Sequence, residues 1–386
     1  MHVAVVTETF PPEVNGVALT LGRLVSGLRA KGHTVSVVHP RRPAFDRTAS
    51  DAAGVTLVAG VPAPGYPGVW IGLPAGARLR ARWREERPDV VYVATPGPLG
   101  WSAVGTARRL GVPVLSGFHT NFHRYARHYR ARWLAPVVTR GLRRFHNTTR
   151  ATLVPTADLQ QELGAAGFQN LEVLGRGVDT AAFDPARRSA ELRAAWGADD
   201  DEIVAIHVGR VAAEKNLALA IAAYRAMQAA GTVHRLVVVG DGPLRDPLQR
   251  AHPDLVFTGM QSGAALGAHY ASGNLFLFPS ETETFGNVIL EAMASGLAIV
   301  AYDYAAARVH LCHGASGMLV PLGDGPVFVA AAAGLARAPR AVRAMGREAR
   351  AAVAAADWTR VVHRFETLLA LGAASPADAD VVLAAS

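Results

Sequence analysis

The sequence predicts two doubly wound α/β domains, and three observations support this fold class. The chain has 386 residues, half of them hydrophobic, whereas a single hydrophobic core stops growing at roughly 250–300 residues. Short runs rich in β-branched residues alternate with helical stretches along the whole chain. These runs are apolar throughout, which is typical of parallel strands covered by helices on both faces.

The elements follow one another in the order expected for two such domains. The predicted strands are HVAVVT, VSVVHP, VVYVAT, VPVLSGFHT and ATLVPT in the first half, then IVAIHVG, RLVVVG, LVFTG, LFLFPS and LAIVAY. A break in periodicity at Leu174–Arg188, with glycines and an Asp-Pro pair, predicts the hinge. We therefore expect domains at 1–176 and 177–362, with a C-terminal helix and tail, 363–386, that returns to the first domain. The segment Val55–Gly76 is rich in Pro and Gly and is expected to be a loop.

The composition limits the cellular compartments and the kinds of partner that we expect for this protein. The formal charge of +8 and a pI near 10.1 favour acidic partners such as nucleotide phosphates, nucleic acid or anionic lipid. A single cysteine, Cys312, is compatible with neither an intramolecular disulfide nor a thiolate metal cluster. The sequence has no recognisable signal peptide and no apolar stretch of the ~20 residues that a spanning helix needs. We expect a cytoplasmic protein, with peripheral attachment to the inner membrane face as a further hypothesis.

The stretch SETETFGNVILEAMASG, Ser280–Gly296, carries the strongest chemical signal. Glu283 follows a predicted strand, at the sheet edge where α/β proteins bind ligands. Glu291 is the only charge in an apolar helix, and burying an unpaired carboxylate costs several kcal/mol. Its partner is expected to be a hydroxyl-rich ligand or, in the structural alternative, a core arginine. The free N–H groups at the start of this helix form an anion site.

This stretch resembles the Glu-x7-Glu signature of the family 4 retaining glycosyltransferases of GT-B fold, in which two Rossmann-like domains face a cleft. Further segments resemble the same family in the same order: TETFPPEVNGVALTL, GFHT, LGRGVDTAAFDP, HVGRVAAEKNL and VVGDGPLR. Together they cover most of residues 1–305. The sequence looks most like bacterial GDP-mannose-dependent α-mannosyltransferases and glycolipid synthases. It departs from the family near Val309, where a common glutamate is absent.

The resemblance implies roles for individual residues. Arg210 and Lys215 would grip the donor diphosphate, and Glu283 would bind the hydroxyls of the transferred sugar. The remaining implied positions are His119 near the reacting centre, Gly16 in a loop that approaches the substrates, Phe285, Gly286 and Asn287 as backbone N–H donors, and Glu291 on the ribose.

The implied reaction is hexosyl transfer with retention of anomeric configuration. The leaving diphosphate would take the acceptor's proton on the same face of the sugar. Developing negative charge is best stabilised by preorganised cations and N–H dipoles, which here would be Arg210, Lys215 and a helix N-terminus. We therefore expect no metal and no cofactor, with the nucleotide-diphosphate sugar as donor substrate.

The segment Asn121–Arg150 mixes many arginines with aromatic side chains and contains no acidic residue. Such segments bind anionic membrane surfaces; a solvated helix face is the simpler alternative. A lipid-linked or glycan acceptor at the membrane would fit the hypothesis that this segment binds an anionic membrane surface.

Other functions remain as alternatives. A UDP-sugar-dependent glycolipid synthase of glucosyl or sulfoquinovosyl type would use the same motifs, and a GT-B epimerase fits them less well. A basic nucleic-acid-binding protein is suggested by charge alone, but zinc-finger, RNA-binding and basic-region signatures are missing, so we expect no nucleic-acid partner. A dehydrogenase is disfavoured because Arg245 replaces the third glycine after Gly240-x-Gly242.

Overall fold

A computed structural model of the chain describes residues 1–13, 15–42, 54–63, 70–119, 135–231 and 233–374. The chain forms two compact units. Unit 1 comprises Met1–Arg176 together with the helix that begins at Trp358, and unit 2 is Gly177–Asp357. The second boundary differs from the predicted one at 362, because the returning helix starts before that position.

Unit 1 is built on a parallel sheet. Among its described residues, the strands are β1 (His2–Val6), β2 (Thr34–Pro40), β3 (Val55–Val58), β4 (Gly60–Pro62), β5 (Trp70–Gly72), β6 (Val90–Val93), β7 (Val114–Gly117), β8 (Ala151–Val154) and β9 (Leu171–Val173). The sheet order is β3-β2-β1-β6-β7-β8-β9. β4 and β5 pair separately as an antiparallel hairpin. The expected loop at 55–76 thus contains strand β3 and this hairpin.

Helices connect these strands on both faces of the sheet. They are α1 (Gly16–Ala30), α2 (Gly76–Glu85), α3 (Pro98–Arg109), α4 (Ala135–His146) and α5 (Ala157–Ala165). Asn15 caps α1 by accepting hydrogen bonds from the N–H groups of Val17 and Ala18, and Thr156 caps α5. Such caps satisfy N–H groups that have no partner inside the helix.

Unit 2 contains the second parallel sheet. Its described strands are β10 (Ile203–Val208), β11 (Val233–Val239), β12 (Val256–Gly259), β13 (Leu275–Phe278), β14 (Ala298–Tyr302) and β15 (Met318–Val320), in the order β12-β11-β10-β13-β14-β15. Along β10, Val204 and Ile206 enter one core cluster while Ile203 and Ala205 enter the other. Both sheet faces are therefore buried, which explains the continuous apolar runs and confirms the predicted α/β class.

The helices of unit 2 complete these two cores. They are α6 (Ala190–Ala195), α7 (Leu217–Ala230), α8 (Arg245–Ala251), α9 (Gly263–Ser272), α10 (Asn287–Ala294), α11 (Ala305–His310), α12 (Gly325–Ala336) and α13 (Pro339–Val353). Short 3₁₀ turns lie at Pro185–Arg187 and Ala213–Lys215. Val309, where the family glutamate is absent, lies in α11 with half of its surface exposed.

The last described helix, α14 (Trp358–Ala373), packs in unit 1. Its apolar stripe, at the spacing of one helix face, joins the core that α1 also enters; the stripe consists of Val362, Phe365, Leu368 and Leu369. Gly27 of α1 makes the close crossing possible, because a Cβ there would stand 2.4 Å from a Val362 methyl carbon. Among the described residues, no helix combines the length and apolar character needed to cross a bilayer.

Removing the Phe365 ring should destabilise unit 1, because the apolar stripe of α14 is part of its hydrophobic core. Phe365 is 1% exposed, and a Phe→Ala change at such a site costs about 3–5 kcal/mol. We expect Phe365→Ala to lower the free energy of unfolding of unit 1 by this amount, measured by urea denaturation. Arg364→Ala is the control, since it removes an exposed ion pair to Glu172 worth about 0–1 kcal/mol. Equal losses in the two variants would contradict the docking role of α14.

Candidate active site

The carboxyl ends of β10 and β13 form the centre of the candidate site in unit 2. These strands are neighbours in the sheet, and chain order reverses between them. Ligands of open α/β sheets bind at such a switch point. The loop after β10 carries Arg210 and Lys215, and the loop after β13 carries Glu283, so the two predicted groups of residues meet here.

Lys215 and Glu283 form an ion pair through Nζ and Oε1. Both side chains are largely buried, at 15% and 13% exposure. The Ser280 hydroxyl donates to the same Oε1 at 2.7 Å, and Nζ lies 5.7 Å from the centre of the Phe278 ring. A buried charge needs such partners. The site thus holds one cation and one anion in contact.

Arg210 lies at the surface of the same loop. Its guanidinium is 42% exposed and approaches Glu214 Oε1 at 3.7 Å, whereas Glu214 is 3% exposed. Glu214 belongs to the 3₁₀ turn that also contains Lys215. The loop therefore presents one exposed and one buried cation within six residues.

Helix α10 starts beside Glu283. Its N-cap, Gly286, has φ +93° and no side chain of the described residues caps it. This left-handed conformation favours glycine. Phe285 is buried, and its carbonyl accepts the Ala306 N–H at 2.8 Å. The N-terminus of α10, including Asn287, therefore has the uncapped N–H groups and positive dipole end that suit an anion.

Glu291 has a partner that the sequence did not reveal. The Tyr270 hydroxyl of α9 donates to Glu291 Oε2 at 2.9 Å. The alternative of a core arginine is therefore wrong, whereas the predicted contact of Glu291 with a ribose stays a prediction. Burial raises the pKa of Glu291 to about 7, against the lowering effect of the Tyr270 hydrogen bond. The other oxygen, Oε1, is not engaged by Tyr270.

His207 is a buried polar group at this edge that sequence analysis missed. Its Nδ1 donates to the Leu277 carbonyl at 3.0 Å, which leaves Nε2 as an acceptor without a partner in the described part of the chain. Burial lowers the pKa of His207 to about 4, with a further lowering by Lys215. The only sequence signal was a histidine inside an apolar strand.

In unit 1, Gly16 is the first residue of α1. The loop before it is held by the Arg42–Glu13 ion pair, 2.6 Å long and buried. The N–H groups of the next two residues, Val17 and Ala18, already donate to Asn15 Oδ1. Gly16 is exposed in this structure, and its predicted role of close approach stays a prediction.

His119 follows β7 and makes two side-chain contacts in unit 1. Its Nε2 lies 2.8 Å from the Tyr92 hydroxyl, and its Nδ1 accepts from Arg176 Nη2 at 3.0 Å. Gly16 and His119 belong to unit 1, and the other predicted site residues belong to unit 2.

Glu8, at the carboxyl end of β1, is a second group that sequence analysis did not select. It accepts the Gly72 N–H through Oε2. Burial raises the pKa of Glu8 to about 7, while backbone N–H groups of Gly72 and Leu99 lower it. A Cβ on Gly97 would lie 2.1 Å from Oε1, so the glycines around Glu8 make room for its carboxyl group. Among the described residues, no cluster of His, Cys, Asp and Glu could hold a metal ion.

Two family descriptions match the chain. Glycosyltransferase Family 4 matches residues 14–182, and Glycosyl transferases group 1 matches residues 202–337. Together they span both units and most of the chain. The protein belongs to glycosyltransferase family 4 and is a glycosyltransferase with two Rossmann-like halves of the GT-B type.

Two relatives and one solved structure place the chain within this class. The GDP-mannose-dependent alpha-mannosyltransferase of Mycolicibacterium smegmatis is 36% identical over 361 residues, 93% of this chain and 94% of that protein. The sulfoquinovosyl transferase SQD2 of Arabidopsis thaliana is 35% identical over 62% of this chain and 48% of its own. HepE of Anabaena, in complex with UDP and glucose, aligns with TM-score 0.76 over 96% of this chain and 99% of its own, at 18% identity. That last likeness concerns the fold alone.

Glu8→Gln should remove a pH dependence of stability. A folded pKa near 7 against 4.5 in the unfolded chain means that the contribution of Glu8 is fully present below pH 4.5. It is then lost as the pH rises to about 7, at a cost of about 3 kcal/mol. The amide oxygen of the new glutamine can still accept the Gly72 N–H, and it carries no charge at any pH. We expect the variant to match wild type near pH 4.5 and to exceed it in urea denaturation at pH 8.

The control for this prediction is Glu85→Gln, an exposed glutamate of α2. Its stability should run parallel to wild type at every pH. If the stability of Glu8→Gln also ran parallel to that of wild type at every pH, the Glu8 carboxyl group could ionise in the folded protein without a loss of stability, which would contradict the prediction.

Proposed function

We propose that this protein is a retaining, metal-independent hexosyltransferase that moves mannose from GDP-mannose to a lipid-linked or glycolipid acceptor. The proposal rests above all on the Lys215–Glu283 pair, which sets a cation and an anion side by side at the switch point of the unit 2 sheet. The GDP-mannose-dependent relative, which shares most of its length with this chain, supports the choice of donor.

Donor binding would give each member of this pair a new partner. The diphosphate offers oxygens to Lys215, while the sugar hydroxyls offer donors to Glu283. Neither charge would then be left unpaired, an arrangement that avoids the cost of separating a buried ion pair. Exposed Arg210 and the N–H groups of Phe285, Gly286 and Asn287 would add further positive potential around the phosphates.

The ribose is assigned to Oε1 of Glu291, the carboxylate oxygen that Tyr270 does not engage. A diol donates two hydrogen bonds, and Tyr270 already holds one carboxylate oxygen in place. A raised pKa makes this carboxyl group easier to protonate, and nucleotide binding would favour its charged form, since hydrogen bonds to a carboxylate stabilise the charge.

The transfer step breaks one C–O bond, forms another from a lone pair of the acceptor oxygen, and moves one proton. The bond between the anomeric carbon and the diphosphate oxygen breaks, and its electron pair goes to the diphosphate. The acceptor hydroxyl oxygen bonds to the same face of the sugar, and its proton passes to the departing phosphate. Lys215 and Arg210 would stabilise this leaving group, so that neither a metal nor another cofactor is required. His119 is assigned to the sugar near the reacting carbon.

The acceptor proposal draws on the sequence segment 121–150, of which residues 121–134 lie outside the described part. The described part contains α4, whose inner face, including Leu142 and Phe145, is buried. On its outer face Val137 is 68% exposed, and Arg140 and Arg144 are exposed. Apolar and basic side chains on one face suit an anionic bilayer surface, and the proposed location is the inner face of the cell membrane.

The second candidate is a UDP-sugar-dependent glycolipid synthase. It is favoured by the likeness to a plant sulfoquinovosyl transferase at 35% identity. The same lysine and carboxylates would serve a UDP-sugar, since their proposed contacts are to the diphosphate, the sugar and the ribose and not to the base.

Calorimetric titration with GDP and UDP in EDTA tests the donor and the site together. We expect GDP to bind more tightly, and GDP-mannose to support transfer without metal. In Lys215→Met, kcat/KM should fall about 10²–10³-fold, the effect of losing one charge-stabilising donor. Glu283→Gln should bind GDP but lose transfer, because its contact is to the sugar.

The matched control is Arg225→Met, which breaks an exposed ion pair to Asp254 in the same unit. It should transfer at the wild-type rate. Tighter binding of UDP would move the assignment to the second candidate, and full activity of Lys215→Met would refute the site.

Replacing Arg140 and Arg144 together with Gln should weaken binding to vesicles that contain phosphatidylglycerol. Each arginine near an anionic surface contributes about 1 kcal/mol, so the pair should lower partitioning roughly 30-fold. Arg143 is left unchanged because it donates to the Ala166 carbonyl at 3.0 Å. The control, Arg108→Gln with Arg109→Gln, removes the same charge from the exposed end of α3. Equal sedimentation of the two double variants would contradict a membrane role for α4.

A further inference from the structure

His119 lies between two side chains that come from distant parts of unit 1. Tyr92, at β6, places its hydroxyl 2.8 Å from His119 Nε2. Arg176, the last residue of unit 1 before the chain enters unit 2, places Nη2 3.0 Å from His119 Nδ1. Both ring nitrogens are therefore engaged.

The chemistry of Arg176 fixes which ring nitrogen carries the proton. A guanidinium has only donors, so Nδ1 must accept and cannot bear a hydrogen. In the neutral imidazole the proton is then on Nε2, which donates to the Tyr92 oxygen. An arginine at this distance also opposes a second proton on the ring, because it would place two cations in contact.

Packing holds the three groups in this arrangement. The second nitrogen of Arg176, Nη1, donates to the carbonyls of Leu174 and Gly175 at 2.9 and 3.0 Å. Tyr92 is fully buried, with its ring edge-on to Phe365 at 4.9 Å. A Cβ on Gly117 would lie 2.2 Å from the Tyr92 hydroxyl and 2.4 Å from His119 Nε2. Glycine is thus required at this position for the contact to form.

The pKa shifts of these three groups agree with the hydrogen-bond geometry. Burial, then Arg176 and His146, lower the pKa of His119 well below its usual value. Burial raises the pKa of the Tyr92 hydroxyl and lowers that of Arg176 to about 10. Near neutral pH the network therefore contains one charge, on Arg176, while His119, Tyr92 and the neighbouring His146 are neutral.

We infer that Arg176 and Tyr92 are positioning residues that keep His119 neutral, with its proton on Nε2, for the glycosyl-transfer step. The inference rests on the proposed role of His119 at the sugar. The anomeric carbon gains positive charge as its bond to the leaving group breaks, as in oxocarbenium-like transition states. A protonated imidazole beside that carbon would oppose the step, whereas a neutral imidazole places no charge there. His119 is then an uncharged group near the reacting carbon and not a general acid.

The test is long-range ¹H–¹⁵N NMR of the full chain labelled at histidine nitrogens, with His119→Asn used to assign the signal. We expect wild-type His119 to show an unprotonated Nδ1 and a protonated Nε2 at neutral pH and also at a pH of about 6.5, the ordinary pKa of a histidine. In Arg176→Met the donor and the cation are both lost, and the pKa of His119 should rise by about one unit or more. Arg176→Lys keeps a cation and a donor and should restore the wild-type signal. Tyr92→Phe should weaken the Nε2–H hydrogen bond without restoring titration.

The matched control is Arg150→Met, since Arg150 also donates to two backbone carbonyls of unit 1, those of Gly372 and Ala374, and has no hydrogen bond to a histidine within the described ranges. It should leave the His119 signal unchanged. Under the same conditions the acid limb of kcat/KM should shift upward by about one pH unit in Arg176→Met and not in Arg176→Lys.

A wild-type His119 that is protonated on Nδ1, or that titrates near 6.5, would overturn the inference. So would an Arg176→Met protein whose His119 signal matches wild type. The NMR readout uses the protein without substrate, so failure to find a donor would refute the proposed function while leaving the state of His119 measurable. If Arg176→Met failed to fold, the wild-type and Arg176→Lys spectra would still show whether His119 is neutral with its proton on Nε2.

Discussion

Unit 2 of this glycosyltransferase depends on a backbone-to-backbone contact between the loops that follow β10 and β11. A Cβ on Gly240, whose φ is +138°, would lie 1.9 Å from the Gly209 carbonyl oxygen, and one on Gly242 would lie 2.4 Å from that of Val211. Hydrogen bonds from Val211 N–H to Asp241 and from Leu244 N–H to Val211 close the contact. No side chain fits between the loops, so the cation-bearing loop is held by its neighbour. The Gly-x-Gly pair that looked like part of a dinucleotide fingerprint serves this packing instead.

Charge balance is the second constraint on this edge of the sheet. Lys215 is paired with Glu283 and Arg210 approaches Glu214, so that opposite charges are satisfied within the protein. A buried ion pair contributes little net stability, because desolvation offsets the attraction, yet losing one partner alone is strongly destabilising. The arrangement therefore tolerates an exchange of partners much better than the removal of one. A ligand with both anionic and hydroxyl groups is the chemistry that such an exchange requires.

Most of the fold could be predicted from the sequence because its strands are buried on both faces. Long apolar runs such as IVAIHVG and LFLFPS correspond to β10 and β13, whereas β9 and β15, each three residues long, left no comparable pattern. The meeting of Lys215 with Glu283 followed from strand order at a sheet edge. The partners of Glu291 and His119 did not follow, because Tyr270 and Arg176 lie 21 and 57 residues away along the chain. Side-chain pairing at such separations depends on helix placement, which periodicity does not specify.

Both units contain buried titratable groups, and desolvation acts on them in the same way. In unit 1 burial favours the uncharged form of Glu8, and in unit 2 it favours the uncharged form of Glu291. A charge persists where partners offset its desolvation. Arg176 of unit 1 donates to two backbone carbonyls, and Lys215 of unit 2 is paired with Glu283. The charge state of each buried group in this fold therefore follows from its immediate partners, so a ligand that brings anionic or hydroxyl groups to these positions would change which form is favoured.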